Sequence, residues 1–307
     1  MSKALIIRGA NFYENRLDVV QFLESKPCTG LSISESSVSF TAIGDTVSLT
    51  ATPVPSDTTD NIVWTSSNAS IATVSAGVVT CVGVGTATIT ATCGNQTATC
   101  SVSYVGTQYI ATDGSAYIMT DIPESATPFD FEAVVSNDLA VADYTSSYSG
   151  NGHVFSSINN FYPLMRTLST KMGANAKING TEGLNGTLSN YSPGTFAKIV
   201  GIKSGSNYEC VYSSEDGQTT YKDTTFEYGS TYSASNKYGI CTYPGDSATR
   251  FNLVGRVKYI KLHIGEELVY NFVAAKKKTS TNTYTFGLYE TVNGIFYESD
   301  GNPFTGA

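Results

Sequence analysis

The chain of 307 residues holds only two histidines and one tryptophan, and charged side chains make up 14% of it. Two histidines cannot build a three-histidine zinc site. A Ser-His-Asp site needs its histidine beside a nucleophile and an orienting acid. Neither histidine lies in such a motif: His153 falls in the glycine-rich turn Ser149-Gly150-Asn151-Gly152-His153, and His263 falls on an alternating strand. His153 therefore reads as a polar turn residue and His263 as a surface residue. From Cys28 to Val105 lysine and arginine are absent, against the acids Glu35, Asp45, Asp57 and Asp60. A surface without cations repels phosphate backbones and anionic lipid, which excludes nucleic acid as a partner. The short basic run Lys276-Lys277-Lys278 precedes Thr-Ser-Thr-Asn and reads as a solvated loop.

Long hydrophobic runs are also missing. No segment approaches the ~20 apolar residues of a membrane-spanning helix, and Ala4-Leu5-Ile6-Ile7 is too short for a secretory core. The expectation is a chain with no membrane insertion that stays in the cell that makes it. The six cysteines, at 28, 81, 93, 100, 210 and 241, form no CxxC metal pattern. Cys93 and Cys100 flank Gly-Asn-Gln-Thr-Ala-Thr and could face each other across a hairpin. The other reading, which the lack of an export signal favours, is reduced and partly buried thiols.

What is abundant points to β-structure. Hydrophobic residues reach 41%, with 20 tyrosines and 28 glycines, a composition that suits strands and turns. Between Ile62 and Thr92, short β-branched runs are cut by Ser-Asn, Ala-Gly and Gly-Val-Gly. In Thr86 to Thr92 the apolar Ala87, Ile89 and Ala91 alternate with threonines, so one face enters a core and the hydroxyls stay wet. Trp64 sits inside an apolar run and reads as a core plug. Leu31, Ile33, Val38 and Phe40, then Val47 and Leu49, alternate in earlier strands. The residues Trp64 to Asn68, Ile71 to Val74, Gly77-Val78-Val79 and Gly83 to Ile89 resemble the bacterial group-2 Ig-like domain. That resemblance implies a two-sheet sandwich over residues 28–105, and it identifies a scaffold rather than an activity.

Residues 1–27 are too few to fold alone. Their core Ile7-Arg8-Gly9-Ala10-Asn11-Phe12 resembles the short leader found ahead of such modules in tail and fibre proteins of gut bacteriophages. The segment reads equally as a flexible terminus or an extra strand, and as an anchor that orders on a partner. Residues 106–307 form a second, larger region without helical periodicity. Phe129 to Val135 alternates, Phe196–Ile202 and Tyr208–Tyr212 read as a hairpin, and Val257 to Ile264 pairs with Leu268 to Val273 across Gly265-Glu266-Glu267. The opening Tyr109 to Thr120 and the ending Glu267 to Ala274 with Gly287 to Tyr297 resemble the laminin-G-like, or concanavalin-like, jelly roll. Fold class is thus all-β: an Ig-like sandwich followed by a larger jelly-roll sandwich.

Chemistry is sparse. Asp130 and Glu132 share one strand face, and two carboxylates roughly 5 to 9.5 Å apart are what glycoside hydrolysis needs. The same i, i+2 spacing also describes a solvated face, and no Glu-x-Asp-x-x-Glu motif accompanies it. Calcium would need converging oxygens, which Asp113-Gly114 and Ser299-Asp300-Gly301-Asn302 could supply, though each is also an ordinary turn. Sugars stack on exposed aromatic faces and bond to Asn and Asp, so Tyr144, Tyr148, Asn151, Asn159, Asn160 and Tyr162 mark a region where loops could meet a glycan. No catalytic, metal or cofactor residue is assigned. The combined expectation is a non-enzymatic bacteriophage virion protein (fibre or capsid decoration) made in the host cytoplasm. It would attach to other virion proteins through residues 1–27, contact host or mucosal glycans, and assemble as a homo-oligomer, by analogy a trimer. The alternatives are a bacterial surface adhesin and a polysaccharide-degrading enzyme.

Overall fold

The computed structural model describes residues 3–4, 23–138, 151–168, 171–244 and 253–307. Most of the leader, including Ile7 to Phe12, lies outside the described residues, as do Tyr144 and Tyr148. The chain divides into two compact units, one of residues 1–40 and 44–104, the other of residues 41–43 and 105–307. Every regular element among the described residues is a strand. No helix there is long and apolar enough to cross a membrane.

In the first unit, β1 (Lys3–Ala4) and β2 (Leu23–Glu24) form a two-residue antiparallel ladder. The body contains β3 (Gly30–Ile33), β4 (Ser37–Ser39), β5 (Thr46–Ser48), β6 (Ala51–Val54), β7 (Ile62–Ser66), β8 (Ala72–Ser75), β9 (Val78–Cys81), β10 (Gly85–Cys93) and β11 (Gln96–Tyr104). One sheet has the order β4-β11-β10-β7; the others are β5-β9-β8 and β3-β6. Along β10, Ala87, Ile89 and Ala91 are buried while Thr86 and Thr88 are exposed, as the alternation predicts. Leu49, Val79, Ile89, Cys100 and Val102 form the core, and Trp64 packs against it while remaining partly open. Ala76 and Gly77 both take positive φ between β8 and β9, the conformation of a tight two-residue hairpin turn. A Cβ on Gly77 would lie 2.5 Å from the Leu49 carbonyl and 3.3 Å from the Trp64 ring, so glycine alone fits there.

The second unit begins with β12 (Ile110–Asp113), β13 (Ile118–Pro123) and β14 (Asp130–Asn137), then β15 (Asn151–Gly152), β16 (Phe155–Ser156), β17 (Phe161–Leu168), β18 (Lys171–Ile178) and β19 (Thr181–Thr187). It continues through β20 (Ala197–Ser204), β21 (Asn207–Ser214), β22 (Thr220–Glu227) and β23 (Lys237–Ile240). It closes with β24 (Val254–Ile264), β25 (Glu267–Ser280), β26 (Thr283–Glu290), β27 (Ile295–Tyr297) and β28 (Thr305–Gly306). The larger sheet runs β22-β21-β20-β14-β24-β25-β26-β27, with β12 also on β24 and β28 on β12. The smaller runs β13-β23-β16-β17-β18-β19, with β15 on β17.

Both sheets contribute to one core rich in rings, including Phe129, Phe131, Phe155, Tyr162, Tyr208, Tyr238 and Phe272. Phe155 stacks on Tyr238 with centroids 4.4 Å apart, and Phe131 stacks on Tyr162 at 5.8 Å. Buried phenols need partners. The Tyr162 hydroxyl accepts from the Phe129 N–H at 2.8 Å, and Tyr208 donates to the Phe129 carbonyl at 2.8 Å. Gly201 leaves room for this ring, since a Cβ there would lie 2.6 Å from Tyr208. Much of the tyrosine content therefore builds the interior.

Candidate functional site

On β14 the inward Phe131, Ala133 and Val135 are buried, which turns Asp130 and Glu132 together onto the opposite face of the larger sheet. Glu132 is clamped there. Its Oε1 accepts from the Tyr259 hydroxyl at 2.9 Å and from Lys261 Nζ at 3.1 Å, and Lys198 Nζ lies 3.2 Å from Oε2. Partial burial is the largest single influence and opposes ionisation. The Tyr259 hydroxyl and the two ammonium groups together outweigh it and hold the carboxyl below the usual range. Asp130 Oδ1 accepts from the Lys203 backbone N–H at 2.7 Å. A glycosidase pair needs one carboxyl kept protonated as the acid. Glu132 is held ionised, with its oxygens taken up by Tyr259, Lys261 and Lys198, so it does not fit the role of the acid in such a pair.

The other residues singled out above serve the fold. His153 is 4% exposed, packs against the Tyr243 ring with centroids 5.1 Å apart, and is pushed down to about 3 by burial. It is a neutral interior group and not the polar turn residue expected, because its ring packs against Tyr243 inside the fold instead of facing solvent. His263 lies half-buried opposite Asp130. The two Asp-Gly segments do meet, but as turn caps. Asp113 Oδ1 accepts from the Ser115 N–H at 3.0 Å, Asp300 Oδ2 accepts from the Met119 N–H at 2.6 Å, and the Asn302 N–H donates to the Ser115 carbonyl at 3.1 Å. Among the described residues no group of three or more His, Cys, Asp or Glu is placed to hold a metal ion.

Of the two readings of the cysteines, the reduced and buried one holds and the cross-hairpin one does not. On β10 and β11, Cys93 pairs with Gln96, and Cys100 pairs with Ile89, four rungs away. The ladder turns at Gly94-Asn95, which is nearer Cys93 than the midpoint of the segment, so the two cysteines cannot face each other. All six cysteines are buried thiols.

The proposed sugar-contact residues divide in a similar way. Tyr162 is fully buried in the ring cluster, and Asn160 is buried with its Oδ1 accepting from the Asn179 N–H. Neither offers a face to a ligand. Asn159 does belong to a loop cluster that gathers around Glu124, a residue not singled out from the sequence. Glu124 is 2% exposed and accepts five hydrogen bonds. Oε1 takes the Ser157 hydroxyl and the Asn159 N–H at 2.9 Å; Oε2 takes Asn159 Nδ2 at 3.1 Å, the Ser233 N–H at 2.8 Å and Asn236 Nδ2 at 3.1 Å. Burial acts most strongly on this carboxyl and would raise it, but the donors prevail and hold it below the usual range. One buried charge thus ties the 157–160 loop to the 231–236 loop.

Around this hub the surface turns apolar and aromatic. Tyr232, next to Ser233, is 48% exposed, and Ile158, next to Asn159, is 44% exposed. The partly exposed Tyr243 donates its hydroxyl to the Ile158 carbonyl at 3.1 Å. Asn159 and Asn236 each spend an amide N–H on Glu124, which fixes both side chains while both residues stay partly open to solvent. Rings beside oriented amides can stack on a sugar and bond its hydroxyls. The sequence signal for this site was thin. The stretch Thr231 to Asn236 is a polar loop with one tyrosine, and nothing local ties it to Glu124.

Comparison with known proteins bears on the first unit. Residues 27–102 match the bacterial Ig-like domain (group 2). That span contains the Trp64-centred sandwich and all of its core, and below it is called the Ig-like domain. No curated protein matches the chain. Among solved structures, a proposed carbohydrate-binding protein from Bacteroides ovatus ATCC 8483 aligns over 90% of this chain and 97% of that one, with 8% identity and a TM-score of 0.43. At that score the similarity is too loose to establish a shared fold.

Proposed function

We propose that this chain is a non-enzymatic adhesion protein of a bacteriophage particle. The Ig-like domain acts as a spacer, and the laminin-G-like or concanavalin-like sandwich of residues 106–307 contacts host or mucosal glycans. The observation that carries the glycan reading is the loop cluster on Glu124: exposed Tyr232 and Ile158 and partly open Tyr243 beside the fixed amides of Asn159 and Asn236. A sugar presents an apolar ring face and a rim of hydroxyls, which such a surface matches. The virion reading rests on the leader motif Ile7-Arg8-Gly9-Ala10-Asn11-Phe12 ahead of an Ig-like domain. In it residues 1–27 attach to other virion proteins, and the copies assemble as a homo-oligomer, taken as a trimer by analogy.

Two measurements test this. Binding of the chain to immobilised capsular and mucin glycans is expected, falling at least tenfold in Tyr232→Ala while thermal unfolding changes by no more than about 2 °C. Asn236→Ala should lose binding similarly but also lower the melting temperature of the second unit by roughly 3–12 °C, because it removes a bond to the buried Glu124 carboxylate. Unchanged affinity in both variants would remove the loop cluster as the contact site. Mass spectrometry of purified phage particles should find the chain. Its absence there, with recovery from bacterial cell surfaces, would replace the virion reading by that of a bacterial adhesin.

A further inference from the structure

The Ig-like domain holds two thiols side by side that are far apart in sequence. Cys28 precedes β3 and Cys93 ends β10, and both are anchored on Asp60. The Cys28 backbone N–H donates to Asp60 Oδ2 at 2.8 Å, and the Cys93 thiol points to the Asp60 carbonyl at 3.8 Å. The chain just after Cys93 also lies against Cys28: a Cβ built on Gly94 would stand 3.7 Å from Cys28 Cβ. The Cys93 thiol is pushed up to about 11, with the neighbouring Cys28 thiol as the largest cause and burial next. Cys28 is 6% exposed and Cys93 is sealed. The other two cysteines of this domain sit elsewhere: Cys81 ends β9, and Cys100 lies in the core opposite Ile89.

We propose that Cys28 and Cys93 form a disulfide when the protein leaves the reducing cytoplasm, clamping the segment that leads into the Ig-like domain onto the end of β10. The oxidant is a low-molecular-weight disulfide. The Cys28 thiolate, the more accessible of the two, attacks one sulfur of that disulfide and expels one thiolate, which takes up the Cys28 proton. The Cys93 thiolate then attacks Cys28 Sγ in the mixed disulfide and expels the second small thiol, which takes up the Cys93 proton. Two protein thiols become one disulfide as the small disulfide becomes two thiols. Because both sulfurs are covered, the first attack waits on local opening and is slow.

The clamp acts where the leader joins the domain. That junction is otherwise held by hydrogen bonds: the Lys26 N–H donates to Thr59 Oγ1 at 3.1 Å, and the Lys26 carbonyl accepts from the Thr59 N–H at 2.9 Å and from the Thr58 hydroxyl at 2.7 Å. A Lys26–Asp57 ion pair adds to them. Any pull transmitted through residues 1–27 reaches the domain here, and a covalent bond from 28 to 93 would carry it past these bonds into the central β10-β11 pair. This inference does not depend on the glycan reading.

The test incubates the native full chain with oxidised glutathione for hours, then denatures and alkylates it. The expected product has four alkylated cysteines and a Cys28–Cys93 linked peptide on mapping. Its Ig-like transition in calorimetry should rise by roughly 10 °C, since the bond closes a long loop. Cys28→Ser should yield no disulfide, while Cys81→Ser should still form the 28–93 link. Alkylation of all six cysteines in the oxidised wild-type chain, or a map showing another pair, would overturn the proposal without reference to any variant's stability.

Discussion

Replacing Glu124 by glutamine probes the hub directly. The carboxylate accepts five hydrogen bonds through two oxygens, whereas an amide offers one oxygen and an NH2 group. The better orientation puts the amide oxygen toward Asn159 Nδ2, Ser233 N–H and Asn236 Nδ2. The NH2 group then faces Ser157 and the Asn159 N–H. The Ser157 hydroxyl can rotate to accept, but the Asn159 N–H cannot, so one buried donor is stranded at about 1–3 kcal/mol. The three surviving bonds lose their charge assistance, a further loss of about 0.5 kcal/mol each. Together these give about 3 kcal/mol, which for a unit of this size lowers the melting temperature by roughly 6–12 °C. Differential scanning calorimetry should show the loss in the transition of the second unit, with that of the Ig-like domain unmoved. The wild-type contribution should also depend on pH with a defined sign. The folded carboxyl lies below the ordinary value of 4.5, so the stabilisation is complete above that value and fades as pH falls through the lower folded pKa. A shift under about 2 °C in Glu124→Gln would refute the hub as a structural charge.

Other perturbations follow from the same geometry. Gly77→Ala places a Cβ 2.5 Å from the Leu49 carbonyl at φ +84° and should cost the Ig-like domain about 3 kcal/mol, read as a calorimetric drop in that transition alone; a neutral result would contradict the turn geometry. Glu132→Gln should remove about 1 kcal/mol at pH 7, modest because the side chain is partly solvated. Since Glu132 is also held below the ordinary 4.5, the variant should converge with wild type as pH falls through that lower folded value. A gap that instead widened in acid would mean the carboxyl titrates upward. Deleting residues 1–27 should abolish incorporation into particles while the Ig-like domain and the second unit stay folded, the former melting somewhat lower for the loss of the Lys26 bonds, and normal incorporation would discard the anchor.

Local pattern made a good part of the fold readable. The period of two in Thr86 to Thr92 assigned Ala87, Ile89 and Ala91 to the core, and each is buried. The hairpins at Gly205-Ser206 and Gly265-Glu266 are formed by the strands that flank them in sequence. The shared face of Asp130 and Glu132 follows from the same alternation. Each of these features depends on neighbours a few residues away, where backbone geometry leaves few choices.

Tertiary structure decided the rest. Glu132 finds Lys198 and Lys261 only because β14 lies between β20 and β24. Glu124 gathers partners from the 157–160 and 231–236 loops, and Cys93 meets Cys28 instead of Cys100. Tyr162 and Tyr208, which composition could equally assign to a binding surface, lie in the core with their hydroxyls bonded to the Phe129 backbone. Alternation says which way a side chain points, but not which strand lies beside it. Strand order is set by how two sheets bury a common core, and through it the same sequence acquired its clamped carboxylate, its loop hub and its thiol pair.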